Sequence, residues 1–218
     1  MLHVVATPIG NLSDLSVRAR EVLKHADLIL AEDTRVSSVL LRHYEIKTPM
    51  RSVHEHTPDA VLERLITQMR SGKTYALVSD AGTPGVSDPG GKLVALAHAA
   101  GVEVSPIPGP CAVTAALSVA GLSAQSFVFL GYFPKKKGRQ TLARVLAAQK
   151  QTVVFFETAP RLTATLTLLG NYLPSERVLV VCRELTKLHE QVVRTTVGGV
   201  AGENIPLKGE FVIVLAGI

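Results

Sequence analysis

Thr74-Tyr75-Ala76-Leu77-Val78-Ser79-Asp80-Ala81-Gly82-Thr83-Pro84-Gly85-Val86-Ser87-Asp88-Pro89-Gly90 carries an apolar strand pattern, Thr74 to Val78, straight into a loop of small, polar and backbone-restricting residues. From Lys92 to Ala100 the spacing turns helical, so the stretch reads as one strand-loop-helix unit. Glycines let the backbone approach a bound molecule, prolines keep the loop rigid, and Asp80 and Asp88 supply acceptors or counter-charge. Structureless loops of this length are uncommon in compact domains unless they have a task, so this one is expected to hold a ligand.

The same alternation extends outward on both sides. Upstream, Leu2 to Ala6 reads as a strand, Thr7-Pro8-Ile9-Gly10-Asn11 as a turn, and a helix begins near Leu15 with Ser13 or Asp14 as its cap and Leu15, Ala19, Val22, Leu23 and Ala26 on one face. Leu28 to Ala31 is a second strand before the loop Glu32-Asp33-Thr34-Arg35 and a helix from Val36 to His43. A short strand, Met50 to Val53, precedes a helix from Pro58 to Arg70. Downstream, Val102 to Ser105 is expected as a strand and Pro110 to Val119 as a helix. Such a run of units predicts an α/β fold with a mostly parallel sheet covered on both faces.

The character changes at Gly121-Leu122-Ser123-Ala124-Gln125, which places a domain boundary between 1–121 and 122–218. Beyond it, Phe127 to Leu130, Thr152 to Phe156, Val178 to Cys182, Gln191 to Thr195 and Phe211 to Leu215 read as strands, with helices at Gln140 to Ala148 and Leu162 to Leu169. Helices thin out toward the end, so the last strands are expected to be antiparallel neighbours in a mixed sheet.

Composition bounds the rest. A chain of 218 residues with 47% hydrophobic and 19% charged content buries one large core or two modest ones. Cys111 and Cys182 lie far apart in apolar or small-residue surroundings, which reads as buried thiols in a reducing, cytoplasmic setting. Neither a signal peptide nor an apolar run of membrane-spanning length is apparent. The net charge of +5 suits a polyanionic partner without requiring one, since an evenly solvated basic surface gives the same balance.

Familiar motifs fail on spacing. Gly91-Lys92 is followed by Leu93, and Val86 stands where a P-loop needs its first glycine. No G-x-G-x-x-G follows the first strand. His189-Glu190 lacks a second histidine, because Val193 occupies its place. His54-Glu55-His56 has no evident third ligand, so no metal is expected and the histidines read as loop residues, near a substrate or merely exposed. What remains is a set of loops that all follow strands and therefore share one edge of a parallel sheet, where ligands of open α/β sheets bind. Their acidic residues suit a cationic or hydroxyl-rich ligand.

Val5-Ala6-Thr7-Pro8-Ile9-Gly10-Asn11-Leu12, Ala31-Glu32-Asp33-Thr34-Arg35, Val78-Ser79-Asp80-Ala81-Gly82-Thr83-Pro84-Gly85, Pro108-Gly109-Pro110 and Arg183-Glu184-Leu185-Thr186-Lys187 together resemble the ribosomal RNA small subunit methyltransferase I family of the tetrapyrrole methylase superfamily, along essentially the whole chain. The resemblance implies two α/β domains, with S-adenosylmethionine (SAM) in the cleft between them, and a homodimer. It further implies 2'-O-methylation of a cytidine in the decoding centre of bacterial 16S rRNA, as free rRNA or in the 30S particle. Carried over by position, Pro8, Asp80, Ala81, Gly82, Thr83 and Ser87 are expected around the methionine end of SAM, with Cys111 and Ala112 adding backbone contacts. Phe156, Glu157, Cys182, Arg183, Lys208 and Gly209 occupy the superfamily's cofactor-facing loops in the second domain.

For the base that takes the hydroxyl proton, the candidates are Asp33, Glu32 and, behind them, Glu55; each reads equally as a helix cap or loop acceptor. Arg35 is a candidate for an RNA phosphate, with His54 and His56 beside the same edge. Lys135-Lys136-Lys137-Gly138-Arg139 is the densest basic cluster, and Arg161 follows at a helix start; phosphate contact and a solvated turn are both open readings. Relatives of this family commonly continue beyond the last strand, whereas this sequence ends at Ile218, so weaker RNA affinity with cofactor binding retained is expected. The rival reading is a sister enzyme that methylates a tetrapyrrole carbon; a binding module without turnover is the reading from another class.

Overall fold

A computed structural model describes residues 1–218, which divide into two compact units, Met1–Cys111 and Ala112–Ile218. In the first, β1 (Leu2–Val5), α1 (Val17–His25), β2 (Leu28–Ala31), α2 (Thr34–His43), β3 (Met50–Ser52), α3 (Asp59–Arg70), β4 (Tyr75–Val78), α4 (Gly91–Ala99) and β5 (Val104–Ile107) alternate along the chain. The strands form one sheet in the order β3-β2-β4-β1-β5, every pair parallel.

The side-chain period of two explains how both faces are covered. Val5, Ile29, Ala31, Ala76 and Val78 point to one side, where Ala19 and Leu23 of α1 and Leu40 and Leu41 of α2 close over them. Leu2, Leu30, Tyr75 and Leu77 point to the other, against Leu62, Leu65 and Met69 of α3 and Leu93 and Ala97 of α4. The near-continuous apolar strands of the sequence are thus strands buried on both faces.

Two local readings shift. Ser16, not Ser13 or Asp14, caps α1, its Oγ accepting from the Ala19 N–H at 3.1 Å. Ser13 and Asp14 are taken up by a short 3-10 turn at Leu12–Asp14 that Asn11 caps, and Tyr44 Oη donates to Leu12 O at 2.6 Å. Val102, where the sequence pattern starts a strand, instead finishes α4: Gly101 turns into the left-handed region at φ 68°, and the Val102 N–H donates to Ala97 O at 2.9 Å. β5 therefore starts at Val104, and its Pro106 is tolerated because the strand lies at the sheet edge.

The second unit comprises α5 (Ala112–Ala120), β6 (Phe127–Tyr132), α6 (Arg139–Ala147), β7 (Thr152–Thr158), α7 (Ala159–Gly170), β8 (Val178–Arg183), β9 (Gln191–Thr196) and β10 (Glu210–Leu215). Its sheet runs β6-β7-β10-β8-β9, with β6 parallel to β7 and the other pairs antiparallel. Phe133, Phe155, Leu162, Leu169, Val181, Phe211 and Ile213 form its main core. Helix α5, placed by the sequence in the first domain, packs on β10, β7 and β9 through Val113, Ala116, Leu117 and Ala120. Its small residues allow that close approach, and the units accordingly divide before it. No helix is long and apolar enough to cross a membrane.

Candidate functional site

Because the first sheet is all parallel, the segments after β1, β2, β3 and β4 emerge at one edge. The structure ties them to one another. Thr7 and Gly82 exchange backbone hydrogen bonds of 2.8 and 3.0 Å, and Thr7 Oγ1 donates to Ser79 O at 3.2 Å. Gly82, at φ 80°, has room for no side chain without pressing Ile9, 3.3 Å from where a Cβ would sit. Thr83 Oγ1 donates to Pro110 O at 3.2 Å, joining the glycine-rich loop to the Pro108-Gly109-Pro110 segment after β5. Farther along, Ser87 holds φ 61°, a left-handed conformation that a non-glycine residue rarely adopts.

The acidic residues of this edge are not equivalent. Asp33 is the N-cap of α2: its Oδ1 accepts from the Arg35 N–H at 2.8 Å, and the Arg35 guanidinium forks onto both of its oxygens at 2.5 to 3.1 Å. Those side-chain bonds, then the backbone bond, hold its carboxyl at about 2. Arg35 remains 89% exposed, although part of its fork is spent on Asp33. Glu32 moves the other way, pushed up by burial first and then by the charges of Asp80 and Asp88. Asp88 is likewise raised by burial, with Asp80 adding to it. A carboxylate above its ordinary range is a better proton acceptor than one held at about 2, so the structure sets Glu32 apart from Asp33.

Glu32 and Asp33, consecutive in sequence, open into different depressions. Glu32, His54, Glu55, Ser87, Asp88 and Lys92 line one of about 710 Å³. Asp33, Pro8, Ser37, Val39 and Asp80 line another of about 530 Å³. His54, Glu55 and His56 are exposed in the turn after β3, the two imidazole rings 6.4 Å apart. Sequence reasoning does not single out Ser37, and it offers Asp88 only as a loop acceptor or counter-charge, without a role of its own. Ser37 is visible there only as the residue one helical turn after Asp33.

In the second unit the expected cofactor-facing residues separate. Glu157 is 1% exposed and holds Thr165 Oγ1 at 2.5 Å, the Thr158 N–H at 2.7 Å and the Arg161 guanidinium at 2.5 Å. Cys182 is fully buried, its thiol pushed up to about 12 by burial and then by the charge of Glu190. Arg183 donates to Lys208 O at 2.7 Å and His189 O at 3.0 Å. The Glu157 carboxylate and the Arg183 guanidinium are thus engaged inside their own unit, and the Cys182 thiol is buried in it. Phe156 meets Phe129 and Tyr132 edge-on, at 5.0 and 5.4 Å. Gly209 turns at φ 99° against the Glu184 side chain, and Lys208 before it is exposed. Cys111 and Ala112 are the half-buried residues on either side of the division between units.

The basic cluster divides as well. Lys135, Lys136 and Lys137 are exposed, whereas Arg139 donates to Pro134 O and Thr165 Oγ1, both at 2.9 Å, with its guanidinium 5.2 Å from the Phe133 ring centroid. Arg161, holding Glu157 and donating to Phe133 O at 3.0 Å, turns inward too. Both arginines brace the turn that presents the lysines.

The sequence model of the tetrapyrrole (corrin/porphyrin) methylases matches residues 1–201. Ribosomal RNA small subunit methyltransferase I of Synechocystis sp. is 48% identical over 221 residues, covering 100% of this chain and 79% of that protein. The protein of the same name from Xylella fastidiosa strain Temecula1 is 47% identical, covering 99% and 81%. Among solved structures, uroporphyrin-III C-methyltransferase from Thermus thermophilus, complexed with S-adenosylhomocysteine, shares the fold at a TM-score of 0.63 and 20% identity, over 99% of this chain and 96% of that one. The fold is therefore that of the tetrapyrrole methylases. The chain belongs, within them, to the ribosomal RNA small subunit methyltransferase I family.

Proposed function

We propose that the protein transfers a methyl group from SAM to the ribose 2'-hydroxyl of a cytidine in the decoding centre of small-subunit rRNA, as a homodimer in the cytoplasm. The observation that carries the reading is the 48% identity, over the full chain, to a protein named for methylating small-subunit rRNA. The solved tetrapyrrole enzyme, at 20% identity, supports the fold alone.

The residues present fit the cofactor's chemistry. An amino acid end with an ammonium, together with ribose hydroxyls, calls for acceptors beside a closely approaching backbone. The glycine-rich loop offers the exposed carboxylate of Asp80 and the hydroxyls of Thr83 and Ser87 around Gly82 and Gly85. Pro8, Ala81, Cys111 and Ala112 complete the set assigned to it. When bound, SAM supplies an electrophilic methyl group on a sulfonium.

The chain's own part is positioning and proton transfer. A ribose hydroxyl is a weak acid, so its oxygen becomes a competent nucleophile as a base removes the proton. Glu32 is that base, because burial and the neighbouring carboxylates raise its proton affinity while its backbone is fixed between β2 and α2. Asp33 shapes the helix start and Arg35 rather than taking the proton. Lys135, Lys136 and Lys137 hold phosphates of the RNA.

Transfer of labelled methyl from SAM to small-subunit particles from a strain lacking the modification, followed by nucleoside analysis, tests the proposal. Label in 2'-O-methylcytidine supports it. Absence of label in the particle, with transfer to an anionic tetrapyrrole instead, overturns it.

A further inference from the structure

Helix α2 carries a buried polar atom with no partner. Ser37 is 6% exposed, its N–H donates to Asp33 O at 3.1 Å, and its Oγ finds no hydrogen-bond partner. A buried hydroxyl left unpaired is costly, and serines inside helices usually bond a carbonyl one turn back. Ser37 instead lines the depression of about 530 Å³, a volume within the usual range for small-molecule sites.

The walls of that depression say what fits it. Pro8, Leu12 and Leu40 supply apolar surface, and Val36 and Val39 continue it outward, 44% and 56% exposed. The remaining wall is Ser79 and Asp80, the start of the glycine-rich loop, with Thr7, whose backbone is bonded to Gly82 of that loop, so a ligand seated here reaches the loop. At the rim sits Arg35, 89% exposed. The matching ligand has apolar flat faces, a hydrogen-bonding edge and an attached anion.

We infer that this depression seats an unpaired nucleobase of the substrate RNA, its edge on Ser37 Oγ and its face against Val36 and Val39. The inference rests on the reading of the protein as an rRNA methyltransferase. An unstacked base offers what these residues lack, since recognition of single-stranded RNA works through apolar contact with base faces and hydrogen bonds to base edges. Glu32 lines the neighbouring depression, so the strand that presents a ribose to Glu32 has a place for a base on the other side of residues 32 and 33.

The test compares wild type with Ser37→Ala and Val39→Asp in methyl transfer to small-subunit particles, with SAM affinity measured by calorimetry. Val39 is exposed, so its replacement leaves the fold intact. Each variant is expected to raise KM for the particle by about tenfold, the scale of removing one hydrogen bond or one apolar side chain from a binding site, at unchanged SAM affinity. Wild-type transfer with KM unchanged in both variants overturns the inference alone. Weakened SAM binding with unchanged KM for the particle also overturns it, since the adenine of the cofactor would then be the occupant. A wild type that methylates no RNA removes the underlying reading, and the inference with it.

Discussion

The Asp33 backbone N–H donates to Asp80 Oδ1 at 3.0 Å, joining the end of β2 to the loop after β4. The bond spans neighbouring parallel strands, so it fixes two of the site's loops in one register. It also holds a negative charge beside Glu32, whose proton affinity Asp80 raises second only to burial.

Replacing that charge separates the two roles. Asp80→Asn keeps an oxygen for the Asp33 N–H but removes the repulsion felt by Glu32. The acid limb of the pH–rate profile is expected to move to lower pH, with the fold retained. An unshifted limb at undiminished SAM binding would take Asp80 out of the electrostatics of the base.

Glu32→Gln tests the base itself. A general base contributes about 10²–10⁴-fold, so methyl transfer is expected to fall at least a hundredfold while SAM affinity holds. The sign for stability is opposite. A glutamate whose folded-state pKa is raised contributes stability below its unfolded pKa and loses it as pH rises through the folded value. At neutral pH the glutamine variant should therefore melt at or above the wild-type temperature, an advantage that disappears in acid. Wild-type turnover in Glu32→Gln would return the search to Glu55.

The periodicity of the first half is legible because strands buried on both faces leave runs such as Tyr75 to Val78, and helices such as Asp59–Arg70 repeat apolar residues at helical spacing. The carboxyl-edge placement of the four loops follows from that pattern. The cap of α1 and the start of β5 are not legible, since a 3-10 turn and a glycine-terminated helix end depend on local hydrogen bonds that several residues can make. Among the site residues, types are readable and states are not. Asp33 and Glu32 look alike in sequence; Arg35 and the carboxylates of Asp80 and Asp88 make them opposites in space. The inward turn of Arg139, Arg161 and Glu157 is a packing outcome, invisible in a string of charges.

That inward network should be measurable as stability. Glu157→Ala leaves the Arg161 guanidinium, 20% exposed, without its carboxylate, and removes the acceptor of Thr165 Oγ1. Losing one partner of a buried pair costs about 3–5 kcal/mol, so the denaturation midpoint in urea should drop sharply. A loss of SAM affinity with an unchanged midpoint would instead place Glu157 at the cofactor.

The lysines and the arginine of the basic cluster should part company when stability and RNA affinity are measured side by side. Replacing Lys135, Lys136 and Lys137 together by alanine removes exposed charges and touches no core, so stability is expected to hold. If they sit on phosphates, RNA affinity falls and the slope of log affinity against log salt flattens by about 0.7 for each single-strand phosphate that is no longer neutralised. Arg139→Ala removes hydrogen bonds to Pro134 O and Thr165 Oγ1 and the stacking over Phe133, so its first effect is on melting temperature. An unchanged salt slope in the triple variant would mean that the cluster is a solvated turn and that the RNA is held from the first unit's loops, where Arg35 is the exposed cation at the rim.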